Sequence, residues 1–179
     1  MSSPLKASDQ NPVSPCPPEI FERQAAVPVR YRAFDGHEAD GLIVVDRELA
    51  EDVAALFEEM RKRDFPIASV IPASDPRFGW NDDLMMAANN SSGFNYRTIV
   101  NSTKLSWHAH GRAIDLNPVQ NPYFHGDRVD PPGAVYDPRA PGTIVEGDFI
   151  TQFLDARGWE WGGRWSDRKD YQHFQKPVK

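Results

Sequence analysis

His108 and Asp115 stand seven positions apart in the stretch Ser106-Trp-His-Ala-His-Gly-Arg-Ala-Ile-Asp115. On one straight strand an odd separation sends two side chains to opposite faces. The pair can share a task only if the backbone bends between them, and Gly111 is the residue that permits the bend. That layout puts His108 on a loop and Asp115 on the strand that follows. A second stretch, Asp170-Tyr-Gln-His-Phe174, has its own odd separation of three between Asp170 and His173. It calls for Asp170 in a turn and His173 inside a strand. Together the stretches offer two imidazoles and two carboxylates. Two neutral histidines and one aspartate are a set that zinc accepts, leaving a fourth position for water; the spare carboxylate is then available to take a proton. The spacing matches neither a His-Glu-x-x-His helix nor a cysteine finger. On the residues alone, four polar side chains in solvent remain the plain alternative.

Composition narrows what such a site can be made of. Cys16 is the single cysteine, so no intramolecular disulfide and no cysteine-rich zinc module can form, and any metal must be held by nitrogen and oxygen. A formal net charge of -6 provides no basic stripe for nucleic acid. No apolar run approaches the roughly 18–20 residues of a membrane span. The N-terminal segment lacks the apolar stretch of an export signal, being broken by charges and by Pro12, Pro15, Pro17 and Pro18. The expectation is one domain with a real core, acting as a monomer, with neither a nucleic-acid partner nor a membrane span. Its location is the cell envelope or beyond if a leader has been removed, and otherwise the cytoplasm until release.

Residues 1–25, rich in Ser, Pro and Gln and without periodicity, read as a flexible tail, either free or draped on the domain, and residues 26–179 as the domain. Val27 to Phe34 alternates as a half-buried strand, Asp35-Gly36 turns, and Gly41 to Val45 returns. Asp46 caps a helix with Leu49, Val53, Leu56, Phe57 and Met60 on one face and charges on the other. Phe65 to Ile71 reads as a short strand. Residues 73–93 form a long loop with one helical turn at Leu84 to Ala88, and loops of that length often wall a cleft. Phe94 to Val100 and Gly111 to Leu116 read as strands, and residues 118–142 as too rich in Pro and Gly for regular structure. Glu146 to Arg157 is a helix closed by Gly158, and Trp159 to Trp161 and Tyr171 to Phe174 are short closing strands. Strands before and after isolated helices, without βαβ alternation, predict an α+β fold with a small antiparallel sheet flanked by helices.

Three ordered motifs, Ser106-x-His108-x-x-Gly111-x-Ala113-x-Asp115, Trp159-x-Trp161-Gly162-Gly163 and Asp170-x-x-His173-Phe174, resemble the M15 family of zinc D-alanyl-D-alanine carboxypeptidases. That family takes in dipeptidases of the VanX/VanY type and phage L-alanyl-D-glutamate endopeptidases. The likeness extends to Asn95-Tyr96-Arg97 and Asp115-Leu-Asn-Pro118, running from about Val27 to Gln175. It is nearest to the compact carboxypeptidase-like and endolysin branch, which carries Asp rather than Glu in the last motif. Position by position, the resemblance implies His108, Asp115 and His173 as Zn2+ ligands in a hedgehog/DD-peptidase-like fold. It implies Asp170 as general base and Arg97 as the arginine that holds substrate or steadies the oxyanion. Ser106 is a substrate-binding candidate, with a local turn role equally open. The implied activity is hydrolysis of an amide bond in peptidoglycan stem peptides. The D-Ala-D-Ala link is favoured over L-Ala-D-Glu because a lone arginine suits a free C-terminal carboxylate. The alternative is a zinc-containing binding module of the same fold without turnover, against which Asp170 speaks, since such a module has no use for a spare carboxylate.

Other candidates carry less. His110 can steady a ligand from behind or simply pack, and His37 and His125 sit in turn-rich segments without an evident partner. Of Trp159, Trp161 and Trp165, core packing claims at least two. Asp82 and Asp83 read as a solvated acidic pair in the long loop. Gln175 stands where relatives often carry an acid.

Overall fold

The computed structural model describes residues 1–100 and 102–178, and a long hairpin laid on one helix organises it. Strand β1 (Ser3–Pro4) and a single helical turn, α1 (Pro18–Phe21), precede that hairpin, formed by β2 (Gln24–Arg32) and β3 (Glu38–Asp46). Val27, Val29 and Tyr31 alternate inward and the register sets Val27 against Ile43. Asp46 ends the hairpin and begins the helix: its carboxylate accepts from the Glu48 N–H at 2.9 Å, and a short 3-10 turn runs into α2 (Ala50–Lys62). Leu49, Val53, Leu56, Phe57 and Met60 are buried against the hairpin. Each large apolar side chain so buried contributes roughly 1.5–3 kcal/mol.

Beyond α2 the elements shorten. Strand β4 (Ser69–Val70) pairs in parallel with β5 (Asn90–Ser91), and α3 (Asp82–Ala87) lies between them in sequence, capped by Asn81. Then come β6 (Ala113–Asp115), the pair β7 (Tyr123–His125) and β8 (Arg128–Asp130), and α4 (Phe149–Asp155). The last elements are β9 (Glu160–Trp161), β10 (Lys169–Asp170) and β11 (His173–Gln175). Three antiparallel sheets result, ordered β1-β2-β3, β10-β7-β8 and β6-β11-β9. The class is α+β, as the sequence predicts, with several small sheets in place of one.

Three segments differ from the sequence reading or add to it. Phe94 to Val100 is not a continuous strand. Phe94 N bonds the Val44 carbonyl, after which Asn95 N bonds that of His108, the Arg97 carbonyl accepts from Ser106 N and Thr98 bridges Leu105, so the segment faces residues 104–108 antiparallel through scattered contacts in place of a regular strand. Residues 118–142 contain the β7–β8 hairpin, because Gly126-Asp127 supplies a two-residue turn between His125 and Arg128. Residues 1–25 lie against the domain: β1 pairs with β2, and Cys16 and Phe21 are buried with Ala26, Val44 and Phe94. Their apolar anchors are too widely spaced to register as periodicity.

Buried asparagines tie the short elements together. Asn117, at a positive φ of 44°, accepts from Ala68 N at 3.0 Å and donates to the carbonyls of Pro66 and Gly142. Asn121 accepts from Ile144 N at 2.7 Å and donates to the Gly142 carbonyl at 2.9 Å. These bonds do for the irregular half what apolar packing does around α2, because a buried polar group must find its partner.

Candidate active site

His108 sits in a 3-10 turn, Trp107–His110, whose first N–H groups need acceptors. The Ser106 hydroxyl takes the His108 N–H at 3.3 Å, which gives Ser106 the local capping role. The chain reverses at Gly111, which has a φ of +67°. A Cβ there would lie 1.9 Å from Gln24 Oε1 and 2.6 Å from Asp46 N, so both conformation and space require glycine. The bend delivers Asp115 to the end of β6, directly opposite His173 in the β6–β11 register. Arg112 holds the bend from behind, bonding the Lys176 carbonyl at 2.7 Å and Glu48 at 3.0 Å. Asp170 ends β10, paired with Tyr123, rather than lying in the turn itself; the turn is Tyr171-Gln172 and His173 opens β11.

The two loops and two strands bring His108, Asp115 and His173 together, all buried, with one potential ligand atom from each within 4.8 Å of the others. His108 Nε2 is 3.1 Å from Asp115 Oδ2 and 3.1 Å from His173 Nδ1, and His173 Nδ1 is 3.0 Å from Asp115 Oδ1. A tetrahedral zinc with bonds of about 2.0–2.1 Å separates its ligand atoms by about 3.3 Å, close to these spacings. The hydrogen bonds on the far side of each ring decide what faces inward. His108 Nδ1 lies 2.7 Å from the Gly93 carbonyl, which can only accept, so that nitrogen carries the proton and Nε2 presents a lone pair. His173 Nε2 lies 3.1 Å from Gln175 Oε1, which likewise leaves Nδ1 bare. With both rings neutral, two nitrogen lone pairs and two carboxylate oxygens converge with no hydrogen among them. Such a cluster wants a cation, and the donor set fits zinc.

Titration behaviour agrees with that reading. Burial opposes ionisation of Asp115, yet His108 and His173 hold its pKa below the usual carboxylate range. Burial also works against charge on His173, but Asp115 and Asp170 outweigh it and raise its pKa. In the metal-free molecule a proton on His173 is thus one way to relieve the crowded lone pairs.

Asp170 behaves differently. Burial, with Asp115 and Asp82 adding to it against the pull of His173 and His108, pushes its carboxyl up to about 7. Its Oδ1 is buried without a hydrogen-bond partner among the described residues. Gly162 makes this position possible: a Cβ there would lie 2.7 Å from the Asp170 carbonyl oxygen and 2.9 Å from its Cβ. Trp161 fixes the neighbouring turn by donating from its indole to the Tyr171 carbonyl at 2.9 Å.

Asp115, Asp170, His108 and His173 open onto a cleft of about 760 Å³, which Arg97, Ser106 and Trp165 also line. Arg97 donates from Nη2 to Asp82 at 2.8 Å, while its Nε is buried and unpartnered among the described residues. Asp82 is therefore a wall residue of the cleft rather than a solvated one. Its helix-start position after Asn81 was the available signal, but nothing in the sequence tied it to Arg97. Trp165 stands beside the site, its ring 5.4 Å from that of His173, whereas Trp159 and Trp161 are core residues. His125 lines the cleft rim; His37 pairs with Asp35 in the exposed hairpin turn; His110 faces a separate small pocket behind Gly111.

A protein-family model described as D-alanyl-D-alanine carboxypeptidase matches residues 100–176, a span that contains His108, Asp115, Asp170 and His173 and ends just past Gln175. No curated protein and no solved structure matches the chain.

Proposed function

We propose that the chain is a zinc-dependent D-alanyl-D-alanine carboxypeptidase of the M15 family acting on peptidoglycan peptides, a reading supported by the family model that matches residues 100–176. The observation that carries the metal is the convergence of lone pairs from His108, Asp115 and His173 with every ring N–H already committed elsewhere. Zinc bound there supplies Lewis acidity to a water and to the scissile carbonyl. Asp170 takes a proton from the attacking water and returns it to the leaving amine. An unpartnered carboxylate with a pKa near neutrality suits both halves of that exchange. Arg97, anchored to Asp82 through Nη2 and lining the cleft, meets the substrate with its guanidinium, either at a terminal carboxylate or at the developing oxyanion.

A terminal carboxylate is the better match for Arg97, because a planar guanidinium pairs with a carboxylate through two parallel bonds. Digestion of purified peptidoglycan by the zinc-loaded protein, with the fragments weighed, tests the assignment. Release of free D-Ala is the expected result. A new D-Glu amino terminus instead would make the enzyme an L-alanyl-D-glutamate endopeptidase, and no cleavage at all would favour the binding module.

A further inference from the structure

The two histidines are steadied from behind by unlike means. His108 donates to a backbone carbonyl, that of Gly93, which cannot turn round. A Cβ on Gly93 would lie 2.1 Å from the Val44 carbonyl oxygen, so that segment is pinned against β3. His173 instead meets a side-chain amide, Gln175, whose two ends are nearly alike in shape but opposite in hydrogen-bonding sense. Something must choose which end it shows.

We propose that Glu160 makes that choice, and that Glu160 and Gln175 form a positioning relay which fixes the tautomer of His173 and thereby sets how tightly the His108–Asp115–His173 group holds its cation. The inference rests on the metal-site reading above. Glu160 and Gln175 face each other across the β9–β11 pair, and Gln175 Nε2 donates to Glu160 Oε2 at 3.0 Å. A carboxylate only accepts, so it draws the amide NH2 toward itself and leaves Oε1 for His173. An amide oxygen in turn only accepts, so His173 must carry its proton on Nε2 and keep Nδ1 bare toward Asp115 and His108. Hydrogen-bond partners of this kind hold a ligand's orientation and raise its basicity. Here the negative charge stands one residue further out, on an exposed side chain, and the neutral amide between makes His173 a weaker donor than a directly attached carboxylate would.

Zinc titration of the full-length protein against a competing chromophoric chelator tests the relay. Gln175→Ala is expected to weaken zinc binding roughly 10–100-fold and Glu160→Ala by a smaller factor, about 3–10-fold, while Gln175→Glu tightens it. The decisive comparison is Glu160→Ala in the Gln175→Glu background. With a carboxylate already on His173 the relay is bypassed, so no loss is expected there; a persisting loss would mean Glu160 acts through its charge alone, and would overturn the proposal. Nitrogen-15 spectra of the metal-free protein at alkaline pH should show His173 protonated on Nε2, and a mixture of tautomers in Glu160→Ala. Should Gln175→Ala fail to fold, Glu160→Ala serves alone, its exposed position leaving the melting temperature unchanged. Unaltered zinc affinity and tautomer in Glu160→Ala would overturn the relay and spare the metal site. A wild-type protein that takes up no zinc would overturn both.

Discussion

Around α2 the side chains wholly withdrawn from water include Val45, Val53, Leu56 and Met60; in the irregular half they include Asn90, Asn117 and Asn121 beside the apolar Ile114 and Leu116. The first interior is held by area, the second by bonds with a definite donor and acceptor. An apolar core loses stability in proportion to what is cut away and remains indifferent to chemistry. A polar interior specifies where each atom must be, and that is what positions four side chains from distant segments around one point. Damage to the first half should therefore appear as lost stability, and damage to the second as lost function in a folded protein.

The largest effect expected is from His173→Ala. Two protein ligands remain, zinc should wash out on dialysis, and peptidase activity should vanish while the metal-free fold persists. Metal analysis beside circular dichroism checks this; full zinc retention would remove His173 from the ligand set. Asp170→Asn should separate binding from turnover: zinc stays, and kcat falls by roughly 10²–10⁴-fold, the usual worth of a general base. Equal metal loss in both variants would make Asp170 a ligand.

Phe57→Ala probes the opposite half. Phe57 is 1% exposed in the packed face of α2, and its truncation should cost about 3–5 kcal/mol in denaturant unfolding. Activity per folded molecule should not change. A variant with native stability and reduced kcat would erase the distinction between the two halves.

The same distinction explains what the sequence discloses. The hairpin and α2 are legible because Val27, Val29, Tyr31 and then Leu49, Val53, Leu56, Phe57 and Met60 repeat at the period of their elements. In the other half periodicity is absent, since strands of two or three residues are too short to show one. What remains visible there is chemistry and strain: the odd spacing of His108 and Asp115 demanded a bend, and the structure bends at Gly111. The Gly93 carbonyl, the Asp82–Arg97 pair and the Glu160–Gln175 contact were not legible, because a backbone acceptor and two cross-chain pairings leave no local pattern. The β7–β8 hairpin was obscured by composition: the surrounding prolines and glycines outweighed the one dipeptide, Gly126-Asp127, that makes its turn.

Arg97→Lys sharpens the comparison at the cleft wall. A lysine keeps the charge and can still reach Asp82, but it cannot present a second planar edge. With a D-Ala-terminated peptide the expected loss in kcat/KM is roughly tenfold or more, the value of one charge-assisted bond. An amidated peptide, which lacks the carboxylate, should barely distinguish the variants. Equal losses on both peptides would shift Arg97 from holding substrate to stabilising the oxyanion.

The smallest effect expected concerns stability alone, and it tests whether the polar half strains its own fold. In the metal-free protein the Asp170 pKa is raised to about 7, above its unfolded value of about 3.9. Below the unfolded value both states are protonated and the burial of this carboxyl carries no charge penalty. As pH rises toward 7 the unfolded chain ionises first, so this group's contribution to stability is lost across that window and stays lost above it. Asp170→Asn removes the titration. It should raise the melting temperature of the metal-free protein at neutral pH by a few degrees, about what one or two kcal/mol does for a chain of this size, and the gain should shrink toward pH 4. Asp115 and His173 titrate in both proteins, and the part of the His173 shift that Asp170 causes belongs to the difference. A gain independent of pH would place its origin in packing rather than in the buried charge. Added zinc should reduce the gain, because a cation facing Asp170 favours the ionised form that the empty site penalises.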